Sequence, residues 1–88
     1  MFELFDKGGA LESWLAQTDS DVRLRAMAAW LDALVRGPEM VARWSWTREP
    51  SGRRVIYSEV PGADVLVGYT FGGGPVRAVF LLYLLDYR

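Results

Sequence analysis

The segment Arg77 to Leu85 reads RAVFLLYLL and constrains the fold more than any other part of the chain. A strand that is apolar on both faces must lie inside a sheet or beneath a partner, because water tolerates neither face. The run is also too short to cross a bilayer as a helix, which takes about 20 apolar residues. What precedes it has a definite order: helical patterns first, then strand patterns separated by turns.

Near the N-terminus, Phe2, Leu4 and Phe5 make a short apolar strand, and Asp6-Lys7-Gly8-Gly9 reads as a turn. Leu11, Trp14 and Leu15 recur at helical spacing and mark a first short helix. Thr18 reads as a cap for the next helix, with Asp21 three residues on. Leu24, Met27, Ala28, Leu31, Leu34 and Val35 then form an apolar stripe, with Arg23, Arg25 and Asp32 off it. Arg36-Gly37-Pro38 is a stop signal, so the second helix is expected over 19–36.

Beyond it the period changes to two. Residues 41–48, 53–60, 64–71 and 77–85 read as strands, joined by Glu49-Pro50-Ser51-Gly52, by Pro61-Gly62 and by Gly72-Gly73-Gly74-Pro75. Short turns imply antiparallel neighbours. The expected fold class is α+β: an N-terminal short strand and a helical hairpin packed on a four-stranded antiparallel meander, in the order β-α-α-β-β-β-β, as one domain over residues 1–88.

Composition removes several chemistries. The chain has no cysteine and no histidine, which excludes disulfides, thiolate-ligated metal and a Ser-His-Asp triad. No motif calls for a cofactor or a metal; the triple glycine lacks the GxxxxGK[ST] pattern and joins two strands. Ten basic residues against eleven acidic ones give a net charge of −1, which argues against tight nucleic-acid binding driven by bulk charge. The start, MFELFDKGG, lacks the basic-then-apolar pattern of a signal peptide. A cytoplasmic protein with no membrane role is the expectation.

The stretch from Ser20 to Pro38 (SDVRLRAMAAWLDALVRGP), the stretch from Arg54 to Tyr69 (RVIYSEVPGADVLVGY) and the final apolar strand together resemble the RelE/ParE toxin superfamily over nearly the whole chain. That resemblance implies the toxin half of a bacterial type II toxin–antitoxin pair. RelE-like members cut messenger RNA on the ribosome, ParE-like members inhibit DNA gyrase, and both are neutralised by an antitoxin protein. In the ribonuclease branch, Arg54, Tyr87 and Arg88 are the residues placed to act on a phosphodiester, arginine by neutralising phosphate charge and tyrosine by moving a proton. The chain departs from that branch in its missing histidine and in its strand DVLVGYT, which has no arginine.

Two further groups bear on partners. Trp44 and Trp46 share one face of their strand and serve either the core or, beside Arg43 and Arg48, an interface. Phe80, Leu82 and Tyr83 belong to the apolar surplus that two small helices cannot cover. These five are the expected partner-binding residues. The function expected is a small inhibitor acting through protein–protein binding. The alternative is a non-catalytic phage or mobile-element accessory or inhibitor protein, or a subunit of a homo-oligomer such as a homodimer, on the same scaffold.

Overall fold

The computed structural model describes residues 1–38, 46–48, 50, 52, 54–72, 75 and 77–88. Its elements are strand β1 (Glu3–Asp6), helix α1 (Ala10–Gln17), helix α2 (Asp21–Arg36), and strands β2 (Trp46–Arg48), β3 (Arg54–Val60), β4 (Val65–Gly72) and β5 (Ala78–Asp86). Among the described residues the chain is α+β, with two helices on one face of a mixed sheet ordered β1-β5-β4-β3-β2.

The meander is antiparallel throughout, with Trp46 opposite Ile56, Ile56 opposite Tyr69, and Tyr69 opposite Leu81. Among the described residues the sheet nevertheless has five strands, because β1 adds to β5 in parallel, Leu4 opposite Val79 and Phe5 opposite Phe80. This second neighbour puts the apolar RAVFLLYLL segment in the sheet interior, as its composition demands. The reason lies in chain direction: directions alternate along the meander, so β5 runs opposite to β2, and β1, which enters the helical hairpin running opposite to β2, therefore lies parallel to β5.

Asp6, expected in a turn, instead ends β1 and caps α1. Its carboxylate accepts from the backbone N–H of Leu11 at 3.0 Å and of Glu12 at 2.9 Å. Gly8 and Gly9 between them take φ of 79° and 72°, which only glycine adopts cheaply. The cap of α2 is Ser20 and not Thr18: the Ser20 hydroxyl accepts from Arg23 N–H at 3.4 Å. The helix stops at Arg36, as the Arg-Gly-Pro signal requires, with Gly37 N–H bonded to the Ala33 carbonyl at 3.0 Å.

Leu11, Trp14, Met27, Trp30 and Leu34 from the helices are buried against Val60, Val65, Val67, Tyr69, Val79 and Leu81 from the sheet. Within the expected stripe Ala28 is exposed, and Trp30 takes its place in the core. Tyr69 is fully buried, edge-on to Trp30 at 6.0 Å, and its hydroxyl donates to the Pro38 carbonyl at 3.1 Å. That bond ties the sheet centre to the end of α2. Burial pushes the Tyr69 phenol up to about 12.

Arg23, read as lying off the stripe, sits on the buried side. Its Nε donates to the Ala63 carbonyl at 2.8 Å and its terminal nitrogen lies 2.7 Å from Asp86 Oδ2. Trp14 Nε1 donates to the same oxygen at 2.9 Å, and the guanidinium lies over the Trp14 ring at 5.5 Å. The junction thus joins α1, α2, the β3–β4 turn and the end of β5. The hydrogen bond from Arg23, those from Arg88 N–H and Trp14, and the charge of Arg23 hold the Asp86 carboxyl below its ordinary value of 3.8, against opposing burial.

Two outcomes follow from these linkages. A phenol with a raised folded pKa stabilises below its unfolded pKa and loses that contribution as pH rises through about 12. Tyr69→Phe should lower stability near neutral pH by about 1 kcal/mol and flatten the decline above about pH 10, read by urea denaturation at stepped pH. Asp86 has the opposite sign: its contribution is present above 3.8 and lost as pH falls below it. Asp86→Asn should weaken the fold at neutral pH and remove the matching part of the acid-side decline in the same titration.

Candidate protein-binding face

Covering one side of the sheet leaves the other to be defined by alternation. Tyr69, Val67 and Val65 of β4 enter the core, so Thr70, Gly68 and Leu66 turn away from the helices. On β3 the same rule turns Val55, Tyr57 and Glu59 away, and on β1 it turns Phe5.

Strand β5 breaks the simple rule. Its pairing to β4 shifts between Gly68, opposite Tyr83, and Tyr69, opposite Leu81. Leu82 is the extra residue of a β-bulge. Since Leu81 and Leu84 both meet the core, Leu82 and Tyr83 both fall on the outward side. The helix-free face of β5 therefore carries Phe80, Leu82, Tyr83 and Leu85. Tyr87 extends the series, because its N–H bonds the Asp64 carbonyl at 3.1 Å and prolongs the ladder.

The face is aromatic and apolar. Phe5 stacks on Phe80 with ring centroids 5.3 Å apart. Tyr57 and Tyr83 lean toward each other over Gly68, 6.4 Å apart and within 12° of parallel. A Cβ at Gly68 would sit 2.9 Å from atoms of both rings, so the glycine is what lets the two tyrosines close over the sheet. Much of this surface meets solvent: Phe5 is 41% exposed, Tyr83 41%, Leu85 59% and Tyr87 52%. Lys7, its Nζ 5.6 Å from the Phe80 ring centre, borders the face beyond β1. The exposed Glu59 borders it on β3. Desolvation first, and then the nearby charges of Glu59 and Asp64, raise the Tyr87 phenol above its ordinary 10.0.

Of the expected partner-binding residues, Phe80, Leu82 and Tyr83 come together on this face. Trp44 lies outside the described residues, as do Arg43 and Arg53; Trp46 is described only as a backbone position in β2, opposite Ile56. The three residues named for phosphodiester chemistry are not brought together. Arg54 begins β3, whereas Tyr87 and Arg88 follow Asp86, which is level with Val65 and Val60 at the other end. Six residues of strand separate the two groups, roughly 20 Å at about 3.3 Å per residue. Phe5, Leu66 and Leu85 and the bordering Lys7 and Glu59 were not legible as a site. The signal that could have found Leu85 is two-residue spacing from Tyr83; the others need the strand order.

A shallow cleft of about 360 Å³ lies between α1 and the end of β5, lined by Ser13, Trp14, Gln17, Thr18, Arg23 and Asp86 among others. Its charged groups are engaged with each other in the junction described above. No helix among the described residues is long and apolar enough to cross a membrane. In comparisons with known proteins, no family model, no curated protein and no solved structure matches the chain.

The tyrosine pair makes a prediction through Gly68. Gly68→Ala should cost about 1 kcal/mol net, the displaced rings outweighing the alanine's better strand propensity, measured by urea denaturation. In a Tyr57→Ala/Tyr83→Ala background the same change should be neutral or stabilising, because nothing then opposes the added methyl.

Proposed function

We propose that this chain is a small inhibitor protein that works by binding another protein through the helix-free face of its sheet. The observation that carries the reading is the contiguous row of half-buried Phe80 and exposed Tyr83 and Leu85 on a central strand, extended by exposed Tyr87 just past its end and flanked by Phe5 and Tyr57. Sheets with one face under helices usually present polar residues on the other, and a contiguous apolar patch rimmed by charge is typical of a protein-binding surface.

The class we favour is a toxin of a type II toxin–antitoxin pair, resembling RelE/ParE proteins, that inhibits translation or DNA gyrase and is neutralised by an antitoxin-like partner. The order β-α-α-β-β-β-β supports it. The distance between Arg54 and the Tyr87–Arg88 pair favours action by binding over RNA cleavage by those three residues.

Induced expression in bacteria tests the reading. The wild-type chain should arrest growth, and Leu85→Lys, at equal expression and with an intact circular dichroism spectrum, should relieve the arrest by weakening target binding roughly tenfold or more, about 1.4 kcal/mol. Unchanged growth at confirmed wild-type expression would contradict a toxin.

A further inference from the structure

We propose that the helix-free face is self-complementary and pairs two copies of this chain face to face around a two-fold axis. The inference rests on the reading of that face as a protein-binding surface and names its resident occupant. Three observations carry it.

The first is the placement of charge. Lys7 lies beyond β1, and Glu59 lies on β3, three strand positions away across β5 and β4 and further along the strand direction. Between them lie Phe80, Tyr83, Leu66, Leu85 and Tyr57. A two-fold axis in the plane of contact, at right angles to the line joining Lys7 and Glu59, sets Lys7 of one copy over Glu59 of the other. Symmetry then makes the reciprocal contact as well. One copy's positive corner meets the other's negative corner twice, while apolar surface meets apolar surface.

The second is bulk charge. A net charge of −1 leaves little self-repulsion to oppose association of identical chains.

The third is size, and it sets the strength. Four strands about 4.8 Å apart, open over roughly 15 Å because Val55 and Ala78 at the far end of the face are buried, present on the order of 300 Å². Two copies bury about twice that, which falls with transient interfaces and not with obligate dimers. The dimer is therefore reversible and concentration-dependent, and it covers the surface a target protein would use. Any such target competes with the second copy.

Sedimentation equilibrium of the purified chain from about 1 to about 500 μM tests this, a range that brackets weak association. The wild type should pass from monomer to dimer within it. Leu85→Lys, at an exposed position that the fold does not need, should weaken association at least tenfold. Lys7→Glu and Glu59→Lys should each weaken it severalfold, and the double exchange Lys7→Glu/Glu59→Lys should restore it, since the pair is rebuilt with its signs reversed. A chain monomeric throughout would overturn the proposal and leave the face to a different polypeptide. So would a dimer that Leu85→Lys does not weaken, or a double exchange no better than its single variants. Growth arrest by a strictly monomeric chain would refute the dimer while sparing the proposed function. A charge-dependent dimer with no effect on growth would do the reverse.

Discussion

A strand that is apolar on both sides has to be covered on both sides, and the placement of β5 between β1 and β4 is the constraint from which the remaining arrangement follows. Strand β4 pairs with it from Ala78 to Asp86, and β1 pairs with its other edge from Ala78 to Leu81. Helices α1 and α2 take one of its faces, through Val79, Leu81 and Leu84. Only its outward face is left, and that face retains Phe80, Tyr83 and Leu85. A terminal edge position would instead have left an apolar strand with a row of unpaired backbone groups, an open template for uncontrolled strand addition.

The helices are held to this sheet by two polar fastenings set in apolar surroundings. At one end Arg23, Asp86 and Trp14 join both helices to the finish of β5. Toward the other, Tyr69 reaches the carbonyl of Pro38, just beyond α2. Both work because each polar group faces a partner: Arg23 is ion-paired with Asp86, and the Trp14 N–H and the Tyr69 phenol each donate to an oxygen, whereas any of them buried alone would destabilise the fold it now anchors. With these in place the face under the helices is fixed, and alternation along each strand then decides what the opposite face displays. The binding surface is in this sense a consequence of the core.

The helices, the stop at Arg36 and the Pro61-Gly62 turn were legible because each is written in local spacing or in a residue with restricted backbone freedom. Gly62 indeed has φ of 85°. What escaped was non-local. Nothing in Glu3–Asp6 says that its neighbour lies over seventy residues later and runs parallel. Arg23 looks like a solvated helix residue until Asp86 and Ala63 are brought to it from the sheet. The bulge at Leu82 changes which residues share a face, so Phe80 and Tyr83, on opposite sides by strict alternation, end up together. Lys7 and Glu59 belong to no motif, and their relation exists only once the strand order is known.

Amide hydrogen exchange along β5, read residue by residue by NMR, tests the central claim most directly. An interior strand bonds alternately to its two neighbours, so consecutive amides at Val79, Phe80 and Leu81 should all exchange slowly, with ring-to-ring Overhauser contacts between Phe5 and Phe80. Slow exchange at every second residue only, with no Phe5–Phe80 contact, would make β5 an edge strand and contradict the account.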